Sequence, residues 1–172
     1  MAKCIATSIY IHYPFCVKKC PYCDFNSHTK NRESLNNAYF HALKEDLITQ
    51  QKQFGPKKIS SIFFGGGTPS LMPPSHVESI LEAISKQYDV AADCETTLEA
   101  NPGTIDLQSF KDFYSAGINR LSIGVQSFNN QSLQSIGRIH DKSHAIQAIE
   151  AALSLPFKSI NCDIMYGLPN QS

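Results

Sequence analysis

Several things are scarce in this sequence, and each scarcity narrows what it can be. No stretch approaches the roughly 20 consecutive apolar residues that a membrane-spanning helix needs. The start, MAKCIATSIYIHYPF, carries one lysine and no cleavable signal pattern. A cytoplasmic location without a transmembrane segment is therefore expected. Neither charge is in excess, since 15 Lys and Arg stand against 15 Asp and Glu. A chain without a net positive field has no general attraction for nucleic acid or an anionic membrane, so no nucleic-acid partner is expected. Internal repeats, low-complexity tracts and linkers are missing too. One unit is expected over the 172 residues, 42% of them hydrophobic and enough to bury a sizeable core.

What is present is unevenly spread. Of six cysteines, Cys16, Cys20 and Cys23 crowd into HYPFCVKKCPYCDFNS. In a reducing compartment such spacing points to metal ligation or redox chemistry rather than to disulfides. Structural zinc is held by four ligands in a closed tetrahedron, and C-x3-C-x2-C has no obvious fourth; His12 or His28 would have to complete it. A cubane iron–sulfur cluster normally takes four cysteines. With three, one iron keeps a coordination position open to a small molecule.

Short apolar, β-branched runs at Ser8 to His12, Ile59 to Phe64, Cys94 to Glu99, Arg120 to Val125 and Ser159 to Met165 read as buried strands. Helical patterns lie between them. Leu35, Tyr39, Leu43 and Leu47 mark one helical face, and Ser75 with Glu78 forms a capping box ahead of Val77, Ile80 and Ile84. Leu107, Phe110, Phe113 and Tyr114 mark a helix that Gly117 can stop in a left-handed conformation. Ile146, Ile149, Ala152 and Leu153 mark another, closed by Pro156. Strand and helix alternating in this way give right-handed βαβ units around a parallel sheet. A full eight-fold barrel takes roughly 250 residues. The expected fold is therefore α/β, a partial TIM-type barrel truncated after about five strands. Residues 1–172 are expected to form the amino-terminal portion of a longer protein whose carboxy-terminal domain is absent.

The motifs follow the carboxyl ends of the expected strands: the cysteines, then GGGTPS, EANPG, GVQSF and DIMYGLP. In parallel β/α folds that rim is where ligands bind, and one pocket is expected to collect all five. Gly65 to Gly67 directly follow the second expected strand and let a ligand approach the backbone, although a tight turn alone would also use them. Glu99 ends a strand and is placed to accept hydrogen bonds at the rim, with a capping or surface acid as the plainer alternative. Cys94 and Cys162 fall in expected strands and read as buried structural thiols, while Cys4 lies at the chain start.

YIHYPFCVKKCPYCDFNS, FFGGGTPS, EANPGT, GINRLSIGVQSF and DIMYGLP, in this order, resemble the radical S-adenosylmethionine (radical SAM) superfamily from about Ser8 to the last residue. Within it the chain is similar to the oxygen-independent coproporphyrinogen III oxidase group, especially its HemW-type heme chaperone branch. The resemblance implies a [4Fe-4S] cluster on Cys16, Cys20 and Cys23, with the SAM amino and carboxylate groups on the fourth iron. Such a cluster passes one electron to the sulfonium and gives a deoxyadenosyl radical. The resemblance also implies SAM contacts from Gly66, Gly67 and Thr68, and places Tyr10 and Tyr22 near SAM. Glu99 would accept from the ammonium or the ribose hydroxyls. Gln126, Arg138 and Asp163 match positions that in the oxidase contact a second SAM or the substrate region. His12 lies inside the pattern Y-x-H-x-P-F-C, beside the cluster or as a packing residue.

One departure separates the branches. The oxidase pattern carries a further cysteine two residues after the third ligand, and here that position is Phe25. The expectation is a chaperone that carries heme as cargo, at a site outside this chain, to acceptor proteins. The alternative is a decarboxylating enzyme acting on coproporphyrinogen III, so enzymatic activity stays open. An electron donor such as a flavodoxin is implied in either case. Radical SAM enzymes acting on RNA fit the neutral charge less well.

Overall fold

The computed structural model describes residues 6–29 and 33–171; Cys4 lies outside them. Five strands form one wholly parallel sheet: β1 (Ala6–Tyr13), β2 (Lys58–Gly66), β3 (Asp89–Ala100), β4 (Arg120–Gln126) and β5 (Ser159–Ile164), side by side in chain order. Between them run α1 (Glu33–Phe54), α2 (Pro74–Gln87), α3 (Leu107–Ser115), a short α4 (Asn130–Ser135) and α5 (Lys142–Leu153). Parallel neighbours taken in sequence order, joined by crossovers of one hand, put the crossover helices α1, α2, α3 and α5 on the same side of the sheet. This is the winding of a (βα) partial barrel.

Alternation along the strands then separates two environments. Leu98 and Ala100 of β3 and Leu121, Ile123 and Val125 of β4 are buried in one cluster with Val77, Ile80 and Ile84 of α2 and Phe110 and Phe113 of α3. Burying each large side chain contributes about 1.5–3 kcal/mol. The residues between them, Glu99, Ser122 and Gly124, face the concave side and carry no apolar side chain. There the Ser8 and Ser61 hydroxyls meet at 2.7 Å, and Arg120 Nη1–H donates to Thr97 Oγ1 at 3.2 Å.

Three local expectations need correction. No side chain caps α2: Pro73 is its N-cap and Pro74 its first residue, so Ser75 and Glu78 make no capping box. Proline at that position has a preset φ and lacks an N–H that would otherwise need a partner. The buried face of α5 is Ala145, Ala148 and Ala152, while Ile146 and Leu153 are exposed, because small side chains let this helix lie close to the sheet. Strand β2 runs on through Gly65 and Gly66, which pair with His12 and Tyr13, so these glycines belong to the sheet rather than following it. Gly117 does end α3, at φ +108°. Its N–H donates to Tyr114 O and that of Ile118 to Phe113 O, satisfying the helix's last carbonyls.

His140 ties this frame together from inside and is 3% exposed. Its Nε2 lies 3.0 Å from Val125 O. A carbonyl only accepts, so Nε2 carries the proton and Nδ1 is left bare, buried and without a partner. Protonating Nδ1 would bury an unpaired cation, and burial, with the Arg138 charge nearby, pushes the His140 pKa down to about 4. In the unfolded chain the ring titrates near 6.5. The stability this provides is complete above pH ~6.5 and is lost as pH falls through ~4, up to about 3 kcal/mol. Urea unfolding across this range should show that loss, and His140→Gln should flatten it. The His140 ring signals should titrate near 4 in NMR.

Candidate functional site

A pocket of about 400 Å³ opens at the carboxyl ends of the strands, within the ~300–1,000 Å³ usual for small-molecule sites. Cys16, Cys20, Cys23 and Tyr22 enter it from the loop after β1, and Gly66, Gly67 and Thr68 from the end of β2. Glu99 comes from β3, Gln126 from the end of β4, Arg138 from the segment before α5 and Asp163 from β5. Tyr10 stands outside the lining. It lies on the concave face below the rim, stacks on Phe63, and approaches His12 Nδ1 with its hydroxyl at 3.2 Å. His12 Nε2–H donates to Asn26 O at 2.9 Å, so the neutral ring accepts from Tyr10.

The cysteine loop is held at both ends by backbone pairing. Cys16 N–H donates to His28 O at 2.9 Å and His28 N–H to Pro14 O at 2.7 Å, while Cys23 N–H turns back to Cys20 O. The glycine segment lies directly against it: Gly67 N–H donates to Tyr13 O at 2.7 Å and Thr68 N–H to Phe15 O at 2.8 Å. A Cβ at Gly67 would sit 2.7 Å from Phe15 O and 3.0 Å from Cys16 Sγ, so only glycine allows this approach. Gly66 has φ +119° and donates its N–H to Glu99 Oε2 at 3.1 Å. Burial raises the Glu99 pKa, opposed by that N–H. Gln126 holds φ +65°, a conformation costly for a residue with a side chain and one that clusters at functional positions.

The donor set bears on what the three thiols can hold. Among the described residues, no three His, Cys, Asp or Glu side chains converge on a point that would hold a single metal ion. Neither His12 nor His28 lines the pocket, so a four-ligand zinc site finds no fourth member there. A cubane spreads its ligands, one thiolate to each of three irons, and three sulfurs along one pocket wall fit that group better. Cys94 is buried and Cys162 partly so, and burial pushes both thiols up in pKa, as expected of packing residues.

Sequence reasoning missed Ser122, Asn161 and Ser27. The Ser122 hydroxyl lies 3.2 Å from Asp163 Oδ2, and Asn161 Nδ2–H donates to Asp163 Oδ1 at 2.7 Å, so both orient that carboxylate. Their period-two spacing with Gly124 and Asp163 is the signal that would have found them. Ser27 lines the pocket with its buried Oγ unpartnered.

Comparison with known proteins bears on the family and the fold. The chain is 46% identical to the heme chaperone HemW of Haemophilus influenzae and 44% identical to that of Escherichia coli, covering all of this chain and 46% of each relative. It therefore spans about half the length of the curated relatives it matches. The structure of the E. coli coproporphyrinogen III oxidase HemN, described as a radical SAM enzyme, superposes with a TM-score of 0.86 at 30% identity, over 95% of this chain and 38% of the oxidase. Among the described residues no helix is long and apolar enough to cross a membrane. The profile of the radical SAM superfamily matches residues 10–172, and the chain belongs to that superfamily.

Proposed function

We propose that this chain is the cluster- and SAM-binding part of a heme chaperone of the HemW kind. Cys16, Cys20 and Cys23 ligate a [4Fe-4S] cluster, SAM fills the rest of the pocket, and heme is cargo bound outside these 172 residues. When bound, the cofactor pair supplies one-electron reductive chemistry. The protein's own residues position it. Gly66 and Gly67 leave room for the methionine end of SAM, and Thr68 and Tyr22 wall it in. Glu99 accepts from the ammonium or ribose hydroxyls, and Gln126 and Asp163 offer further polar contacts at the rim. Arg138 presents paired donors suited to a carboxylate. Tyr10 acts from below, through His12. Heme-acceptor proteins and an electron donor such as a flavodoxin are the partners of this reading.

The observation that carries the choice of branch is Phe25. It lines the pocket where the oxidase group has a cysteine. The higher identity to proteins named heme chaperones points the same way. The close superposition on HemN supports a second reading, decarboxylation of coproporphyrinogen III. Full-length protein, reconstituted without oxygen and given SAM, a reductant and coproporphyrinogen III, separates them. Stable heme binding without turnover is expected; vinyl products would establish the oxidase instead.

A further inference from the structure

Two side chains in the pocket wall are directed at the thiols themselves. Thr68 Oγ1 donates to Cys16 Sγ at 3.5 Å, with both residues buried. Arg138 Nη1–H donates to Cys20 Sγ at 3.9 Å. Both donors are fixed. The Thr68 backbone is bonded to Phe15 O, in the residue just before Cys16. Arg138 is anchored by Nη2–H donating to Gly124 O at 2.6 Å, which leaves Nη1 to face Cys20 and the Tyr22 hydroxyl at 3.5 Å. Its Nε is buried without a partner, a cost that a purely structural arginine would avoid by reaching solvent.

We infer that Thr68 and Arg138 set the reduction potential of the cluster by donating hydrogen bonds to two of its three thiolates; the inference rests on the cluster reading above. A thiolate on a cluster that gains one electron becomes more negative. A donor aimed at it stabilises the reduced form more than the oxidised form and raises the potential. A role confined to SAM binding predicts no such effect when SAM is absent.

The test is a redox titration of full-length protein, reconstituted anaerobically, reduced with dithionite and read by EPR without SAM. Thr68→Val keeps the shape and removes the hydroxyl. At the wild-type midpoint its ratio of reduced to oxidised cluster is expected to fall about tenfold, equivalent to ~59 mV for a one-electron couple. Thr68→Ser restores it, and Arg138→Gln moves it in the same downward direction. An unchanged midpoint in either hydrogen-bond-deficient variant overturns the role of that residue and leaves the cluster reading intact. Wild-type protein that takes up no iron and sulfide overturns both. If a variant assembles no cluster, the unaltered protein decides. Transfer to D2O shifts the Fe–S(Cys) resonance Raman bands of hydrogen-bonded thiolates, and bands that stay in place overturn the inference.

Discussion

Alanine at Cys16, Cys20 or Cys23 is expected to abolish the cluster. Iron and acid-labile sulfide in anaerobically reconstituted protein should drop to background, and the EPR signal that changes on adding SAM should vanish. Each of the three sulfurs serves a different iron in the proposed arrangement, so no neighbour can take over a lost position. The remaining described thiols stand outside the pocket lining: Cys94 lies on β3 and Cys162 on β5. Alanine at either should leave iron, sulfide and the EPR signal at wild-type values. A signal that survives loss of any one of the three, or that ignores SAM, would count against an iron held open for the cofactor.

The second large effect is expected at the glycines. Gly67→Ala would drive a methyl group to 2.7 Å from a backbone carbonyl, Phe15 O, and to 3.0 Å from Cys16 Sγ. Neither neighbour can yield easily, because the flanking hydrogen bonds fix both chains. Overpacking of this kind costs about 1–3 kcal/mol. Gly66→Ala adds backbone strain at φ +119° to contacts of 2.7 Å with His12 and 2.9 Å with Tyr13 O. That strain costs a further 1–3 kcal/mol or so. Gly55 is the control: at φ +70° it has nothing within 4 Å, so alanine there meets the backbone cost alone. Urea unfolding should rank Gly66→Ala as the most damaging, and the two site variants should also lose cluster, whereas Gly55→Ala should not.

The strands were readable as short apolar, β-branched runs, and in β4 the pleat adds an alternation, with Leu121, Ile123 and Val125 buried between Arg120, Ser122, Gly124 and Gln126. The gathering of the motifs was readable for a related reason, since parallel strands in one sheet bring their carboxyl ends to one rim. Depth along a strand was harder to read. Tyr10 and His12 share the concave face, yet a single pleat decides whether a ring enters the pocket or supports it. Helix faces also misled: Ile146 and Leu153 are the larger apolar side chains of α5, but a helix packed tightly on a sheet turns its alanines inward. The six-residue α4 was missed, because its start depends on the Asn129 side chain accepting from Ser132 N–H rather than on any apolar stripe.

The backbone pairing of Cys16 with His28 has a consequence for what shapes the cysteine loop. The segment bearing the three thiols is clasped by main-chain bonds that need no iron, and the glycine strand is stitched to it in the same way. A zinc finger gains its shape from its ion and collapses without it. Here the shape of the loop is written in main-chain bonds to its neighbours as well as in its thiols, so whatever those thiols hold is not the sole tie that shapes the segment bearing them.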